Sequence, residues 1–335
     1  MTPIPALLAL HFGLAHAQDA VKMEIVRKGQ VGTASPRLVL LPQVDARDLA
    51  VAVRCGSAPE RRRDGPAQPG QRVEIELLPV ETKAGSVSCT GRLRLAAADG
   101  TEGELPLSFQ VQMLPALTLH VDRSTLDLGA QRLVVSGDRP LASAEVDVVG
   151  PGGEPIGGGR GTGSGAVPVT WTGRGEVVRI TVKGFDADGF WSAVELFPWS
   201  YAVPHEDLVF ATNEAAVLPA EAPKLVAAAR EIDKVKARYG AVAKVNLYIA
   251  GYTDTVGDAA ANQALSERRA QSIAAWFRAN GFTGEIWYQG MGERGLAVAT
   301  PDGTDEPRNR RAAYIVAAEA PPAGDALGAR WARLP

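Results

Sequence analysis

The chain has 335 residues, with 35 Lys and Arg against 38 Asp and Glu, four His and two Cys, for a formal net charge of −3. At ~100 to 200 residues per domain this length predicts two or three domains and excludes a small disulfide scaffold. The near-neutral balance excludes the broad basic surface of a nucleic-acid-binding chain, so no nucleic-acid partner is expected.

Taken in chain order, residues 6–15 form a short apolar core, and Ala15-His16-Ala17 supplies a small-x-small cleavage pattern before Gln18. Residues 1–17 are therefore expected to be an export signal, although no Lys or Arg precedes the core. Beyond them no apolar run approaches the ~20 residues that cross a bilayer as a helix. Neither Cys adjoins the cleavage site, which leaves no lipid-anchoring cysteine there.

Residues 18–204 read as all β. Val73, Ile75 and Leu77 alternate with Glu74 and Glu76, and Leu105, Leu107, Phe109, Val111 and Met113 alternate around Ser108, Gln110 and Gln112. A second set follows Leu114-Pro115: Leu117 to Val121, Ala144 to Val148, and Val178, Ile180 and Val182. Period two with one wet face predicts two immunoglobulin-like β-sandwiches, over 18–115 and 116–204. A membrane barrel fits less well, because charged residues occupy many outward positions and no aromatic residue lies between Val21 and Ser108. Cys55 and Cys89 each fall on the apolar parity of a strand, which suggests a disulfide through the sandwich core, with two separate buried thiols as the alternative.

The Gly-rich residues 150–165 lack the Gly-Lys-Ser/Thr of a phosphate loop and read as a flexible inter-strand loop. Asp186-Ala187-Asp188-Gly189 lacks the remaining calcium ligands and reads as a hairpin turn. His11 and His16 fall in the presumed signal, and neither His120 nor His205 sits in a metalloprotease or hydrolase motif. Neither enzymatic activity nor a metal or other cofactor is expected.

Composition changes at Pro204-His205-Glu206. A strand at Leu208-Val209-Phe210 is expected, then an amphipathic helix with Leu225, Ala228, Ile232, Val235 and Tyr239 on one face. A strand over 245–250, a helix opening near Asn262 and ending near Gly281, a strand over 285–289 and a last strand after Asn309-Arg310-Arg311 complete an α+β unit. The tail, 319–335, reads as disordered.

Within this unit, Thr253-Asp254 followed by Gly257, then Asn262-x-x-Leu265-Ser266-x-x-Arg269-Ala270, then Asn309-Arg310-Arg311, resembles the OmpA-like C-terminal domain of outer-membrane proteins, peptidoglycan-associated lipoproteins and flagellar stator proteins. The resemblance covers residues 205–318 and implies a βαβαβ-β fold with a mixed sheet and helices on one face. It also implies noncovalent binding of the meso-diaminopimelate of the peptidoglycan stem, by Asp254 and Arg269 with Leu265 as an apolar wall. Asn262, Asn309, Arg310, Thr212 and Asn213 are placed around the pocket by the same resemblance, Thr212 and Asn213 only loosely. Independently of the family, a carbon bearing both ammonium and carboxylate needs an anion beside a cation, which an Asp and a bidentate Arg supply. A purely structural Asp254–Arg269 salt bridge is the competing reading.

The expectation for the whole chain is a periplasmic, wall-associated protein of a Gram-negative envelope, its sandwiches docking on an outer-membrane partner. The alternatives are an envelope enzyme with an unrecognised wall-cleaving site and a stator-like protein with an uncleaved N-terminal anchor.

Overall fold

The computed structural model of the chain describes residues 20–211, 213–321 and 330–335. The expected export signal and Thr212 lie outside the described residues. The first sandwich pairs a three-stranded sheet (Val21–Val26, Arg37–Pro42 and Val73–Glu76) with a five-stranded sheet whose long strands are Ala46–Cys55, Gly85–Ala97 and Glu102–Leu114. The alternation is visible in burial: Leu107, Phe109, Val111 and Met113 enter the core while Ser108, Gln110 and Gln112 stay exposed. Cys55 and Cys89 form a disulfide with Cα atoms 4.0 Å apart. They are direct partners on neighbouring antiparallel strands, so the bond lies on the core face of one sheet and does not cross between sheets. The 34-residue separation makes it worth ~3 to 4 kcal/mol in the chain-entropy model.

The second sandwich pairs Leu119–Asp127, Arg132–Gly137 and Val167–Thr170 with a five-stranded sheet built on Leu141–Val149 and Arg179–Asp186. Here the expectation of a flexible Gly-rich loop is corrected. Pro155–Gly165 is an 11-residue strand in register with Leu141–Val149. Glycine recurs because the neighbouring backbone leaves no room: a Cβ on Gly159 would sit 2.0 Å from the Thr170 carbonyl oxygen, and one on Gly161 2.1 Å from that of Pro168. At the expected hairpin, Asp186 Oδ1 accepts from the N–H groups of Asp188 and Phe190, which closes the turn.

The third unit is a five-stranded mixed sheet in the order Ser200–Ala202, Ala312–Ala317, Asn246–Tyr252, Ile286–Gly292, Ala332–Arg333. Of its three inner strands, Asn246–Tyr252 and Ile286–Gly292 run parallel, as a strand–helix–strand crossover demands, and the other pairs are antiparallel. Helices α1 (Ala222–Tyr239) and α2 (Ala259–Ala279) share one core with Leu247 and Ile249. α1 buries the five residues its periodicity singles out, Leu225, Ala228, Ile232, Val235 and Tyr239.

Two expectations fail at the sheet edges. Leu208-Val209-Phe210 is not a strand; the edge position belongs to Ser200–Ala202, which moves the start of this unit ahead of residue 205. Side chains end that pairing. The His205 ring stacks on Tyr314 and contacts the carbonyls of Val203 and Ala312, while Asp207 Oδ1 accepts from Ala312 N–H, where a further strand residue would pair. The end of the tail is also ordered: Ala332–Arg333 pairs with Trp287 and Tyr288, Leu334 is buried, and Trp331 meets Tyr248 edge-on. Apolar Trp331 and Leu334 cover sheet surface that would otherwise face water.

Candidate functional site

The site is assembled where the strand Asn246–Tyr252 delivers its loop to the start of α2. The helix lies unusually close to the sheet, because Gly251 and Gly290 have no side chains to hold it off. A Cβ on Gly251 would fall 2.4 Å from the Ser266 carbonyl oxygen, and one on Gly290 2.5 Å from the Glu267 nitrogen. Ser266 Oγ accepts from Gly292 N–H at 2.9 Å, and Asp258 caps the helix by accepting from Ala261 N–H. The result is a fixed distance between the Asp254 loop and the second turn of α2.

A cleft of about 530 Å³ opens there. Asp254, Asn262, Leu265, Arg269, Arg310 and Asn213 all line it. Asp254 is 7% exposed and its Oδ1 accepts from Val256 N–H at 3.3 Å. Its other oxygen is ion-paired with Arg310, which also pairs with Asp305. The two carboxylates raise the Arg310 guanidinium above its ordinary value, chiefly through these hydrogen bonds.

Arg269 has no ion pair among the described residues, so the competing structural Asp254–Arg269 salt bridge is not formed. Its Nε donates to the Glu214 carbonyl at 3.0 Å and its guanidinium stacks 4.8 Å from the Phe210 ring centre. These two contacts hold the plane of the group and leave both terminal nitrogens for a ligand. Burial, with Arg310 and Arg268 nearby, lowers the Arg269 pKa, while Asp254 pulls it the other way.

Asn262 serves the walls: its amide donates to the Val256 carbonyl at 3.0 Å and to Glu293 Oε1 at 2.8 Å. Asn309 is corrected. It is 0% exposed, outside the cleft lining, and exchanges hydrogen bonds with the backbone of Val298, so it clamps the 293–306 loop. Asn213 lines the opposite wall with φ +59°, a conformation Asn tolerates better than most residues.

Two lining residues escaped sequence reasoning: Phe210, expected in a strand, and Asp305, in a loop with no motif. Arg311, part of the Asn309-Arg310-Arg311 motif, lines the cleft and stacks 3.8 Å from the Tyr252 ring centre, which puts an aromatic floor under it. For Asp305 the only available signal is its place in the loop preceding Asn309-Arg310-Arg311.

Comparison with known proteins places the C-terminal part of the chain in a family. Over 74 residues the chain is 43% identical to the outer-membrane lipoprotein YfiB of Pseudomonas aeruginosa, which is 21% of this chain and 42% of that protein. It is also 38% identical over 81 residues to the photosystem I P700 chlorophyll a apoprotein A2 of Gloeobacter violaceus, covering 22% of this chain and 9% of that one. The chain thus spans less than half the length of either curated relative. Among solved structures, the OmpA-like domain of FopA1 from Francisella tularensis is similar at 20% identity and TM-score 0.27, covering 43% of this chain and 77% of that one. Residues 209–310 match the OmpA family model, and the chain accordingly carries an OmpA family domain behind its all-β N-terminal units.

Proposed function

We propose that the chain is an envelope protein that binds peptidoglycan noncovalently, taking the diaminopimelate of the peptide stem into the cleft of its OmpA family domain. The observation that carries this reading is that Asp254 and Arg269 line one cleft with Leu265 between them in sequence. The ligand ammonium is received by Asp254 and the carboxylate on the same carbon by the terminal nitrogens of Arg269, while Leu265 packs against the methylene chain. The mechanism is recognition without reaction. Exported to the periplasm of a Gram-negative cell, the chain tethers its sandwiches, and an outer-membrane partner docked on them, to the wall.

The test is sedimentation of the full chain with purified sacculi. Cosedimentation is expected, with loss of binding when the free diaminopimelate carboxylate is amidated and no soluble muropeptides released on long incubation. Release of fragments abolished by a point substitution in this chain would favour the enzyme reading instead. Equal sedimentation with both kinds of sacculi would refute the ligand assignment.

A further inference from the structure

A second cleft, of about 570 Å³, lies far from Asp254 in sequence, where the first sandwich meets the second. One wall is the strand Val21–Val26 with the residues after it; the other is the hairpin tip Asp188, Gly189, Phe190 and Trp191. The joint is clamped: Arg139 donates from Nε to Asp186 at 2.7 Å and from Nη1 to the Pro115 carbonyl at 2.9 Å, and it also reaches Gln30. Lys28 pairs with Asp188 across the same joint. The cleft is therefore held open by fixed contacts.

Among the described residues, Val21–Val26 is the outer strand of its sheet and pairs with Arg37–Pro42 alone. In an antiparallel pair every second residue turns its N–H and C=O away from the neighbour, so this edge offers a row of unpaired backbone groups. Beside that edge the lining is apolar. Met23 belongs to the first sandwich's core cluster, Ile25 packs half-buried against it, and Trp191, 51% exposed, stands opposite. Of the cations that line the cleft, Lys28 is paired with Asp188 and Arg37 with Glu74, whereas Arg27 has no acidic partner among the described residues.

We infer that this cleft docks an extended segment of a partner protein, with alternating apolar residues and an acidic flank, which adds a strand to the free edge of Val21–Val26. Main-chain hydrogen bonds supply the affinity, Met23, Ile25 and Trp191 receive alternate side chains, and Arg27 meets the acidic flank. An acidic glycan, which the exposed indole and Arg27 would also attract, is the competing occupant and one arm of the test.

The full chain would be titrated with a labelled peptide alternating Val and Thr between Asp-Glu flanks, with the same peptide interrupted by Pro, and with an oligogalacturonide. Expected are binding of the first peptide, at least about tenfold weaker binding of the Pro-interrupted one, and slowed amide exchange over residues 21–26. Trp191→Ala and Arg27→Glu should each weaken the peptide roughly fivefold or more. Neither touches the wall-binding cleft, so sedimentation with sacculi should match the parent and separate failure here from failure of the wall-binding reading. Equal binding of the two peptides, or unchanged exchange over 21–26, would overturn the inference. So would oligogalacturonide binding that depends on Trp191 while the peptide does not bind.

Discussion

Substituting Arg269 isolates the carboxylate half of the proposed ligand contact. The side chain commits Nε to Glu214 and one face to Phe210, so its two terminal nitrogens are what the ligand meets. A hydrogen bond to a charged group is worth ~1.5 to 3 kcal/mol. Removing it in Arg269→Ala should weaken binding roughly 10- to 100-fold, at ~1.4 kcal/mol per tenfold. Arg269→Lys keeps a charge but loses the fork, and about a fivefold loss is expected. The lost contacts to Phe210 and Glu214 cost only ~1 to 2 kcal/mol of stability, so a urea titration should still show a folded chain. The assay is fluorescence anisotropy with a labelled stem tripeptide ending in meso-diaminopimelate, in free and carboxyl-amidated forms. The parent should discriminate the two forms, and Arg269→Ala should bind both alike, because each change removes the same interaction. If Arg269→Ala still distinguishes them, the carboxylate is read elsewhere and the assignment fails.

Gly159→Ala places a Cβ against the Thr170 carbonyl, 2.0 Å away, and should cost ~1 to 3 kcal/mol in a urea titration; Gly163→Ala, with its nearest atom at 3.3 Å, should cost clearly less, and equal losses would contradict the close-approach explanation. The Arg308 side chain and backbone N–H hold the Glu306 carboxyl down to about 2, against an ordinary 4.5. A depressed folded value contributes stability that is complete above the unfolded pKa and lost as pH falls toward 2. An NMR titration should therefore put Glu306 near 2 in the parent and return it toward 4.5 in Arg308→Ala, and an ordinary midpoint in the parent would refute the pairing.

The legible parts of this chain were those where one physical rule acts alone. α1 buries the five residues its period marks, because one continuous core lies under that face. The sandwich strands of period two were legible for the same reason, and so was the pairing of Cys55 with Cys89, though not its place within one sheet. Where two rules compete, the sequence misled. Glycine ordinarily opposes a strand, and residues 155–165 became one because backbone from the next strand passes too close for any Cβ. Leu208-Val209-Phe210 has strand composition, but His205 and Asp207 occupy the edge it would have joined, which frees Phe210 to stack on Arg269. In the site, the candidate residues on α2 and its loop came from the resemblance of their motifs to the OmpA-like domain, whereas Asp305 depends on how a loop folds back.

That unread residue changes how the site works. Without a ligand, Asp254 is nearly buried, and a lone carboxylate there would be costly. Arg310 neutralises it, and Asp305, on the exposed side, gives the same guanidinium a second acceptor. On the proposed reading, a ligand ammonium arriving at Asp254 competes with Arg310, which can release Asp254 without becoming unpaired, since Asp305 keeps it. Part of the gross attraction between Asp254 and the ammonium then offsets the lost Asp254–Arg310 contact, and the proposal therefore predicts a modest net affinity for a single stem. A polymer that repeats its stem many times can still be held firmly by many chains, each of which exchanges quickly.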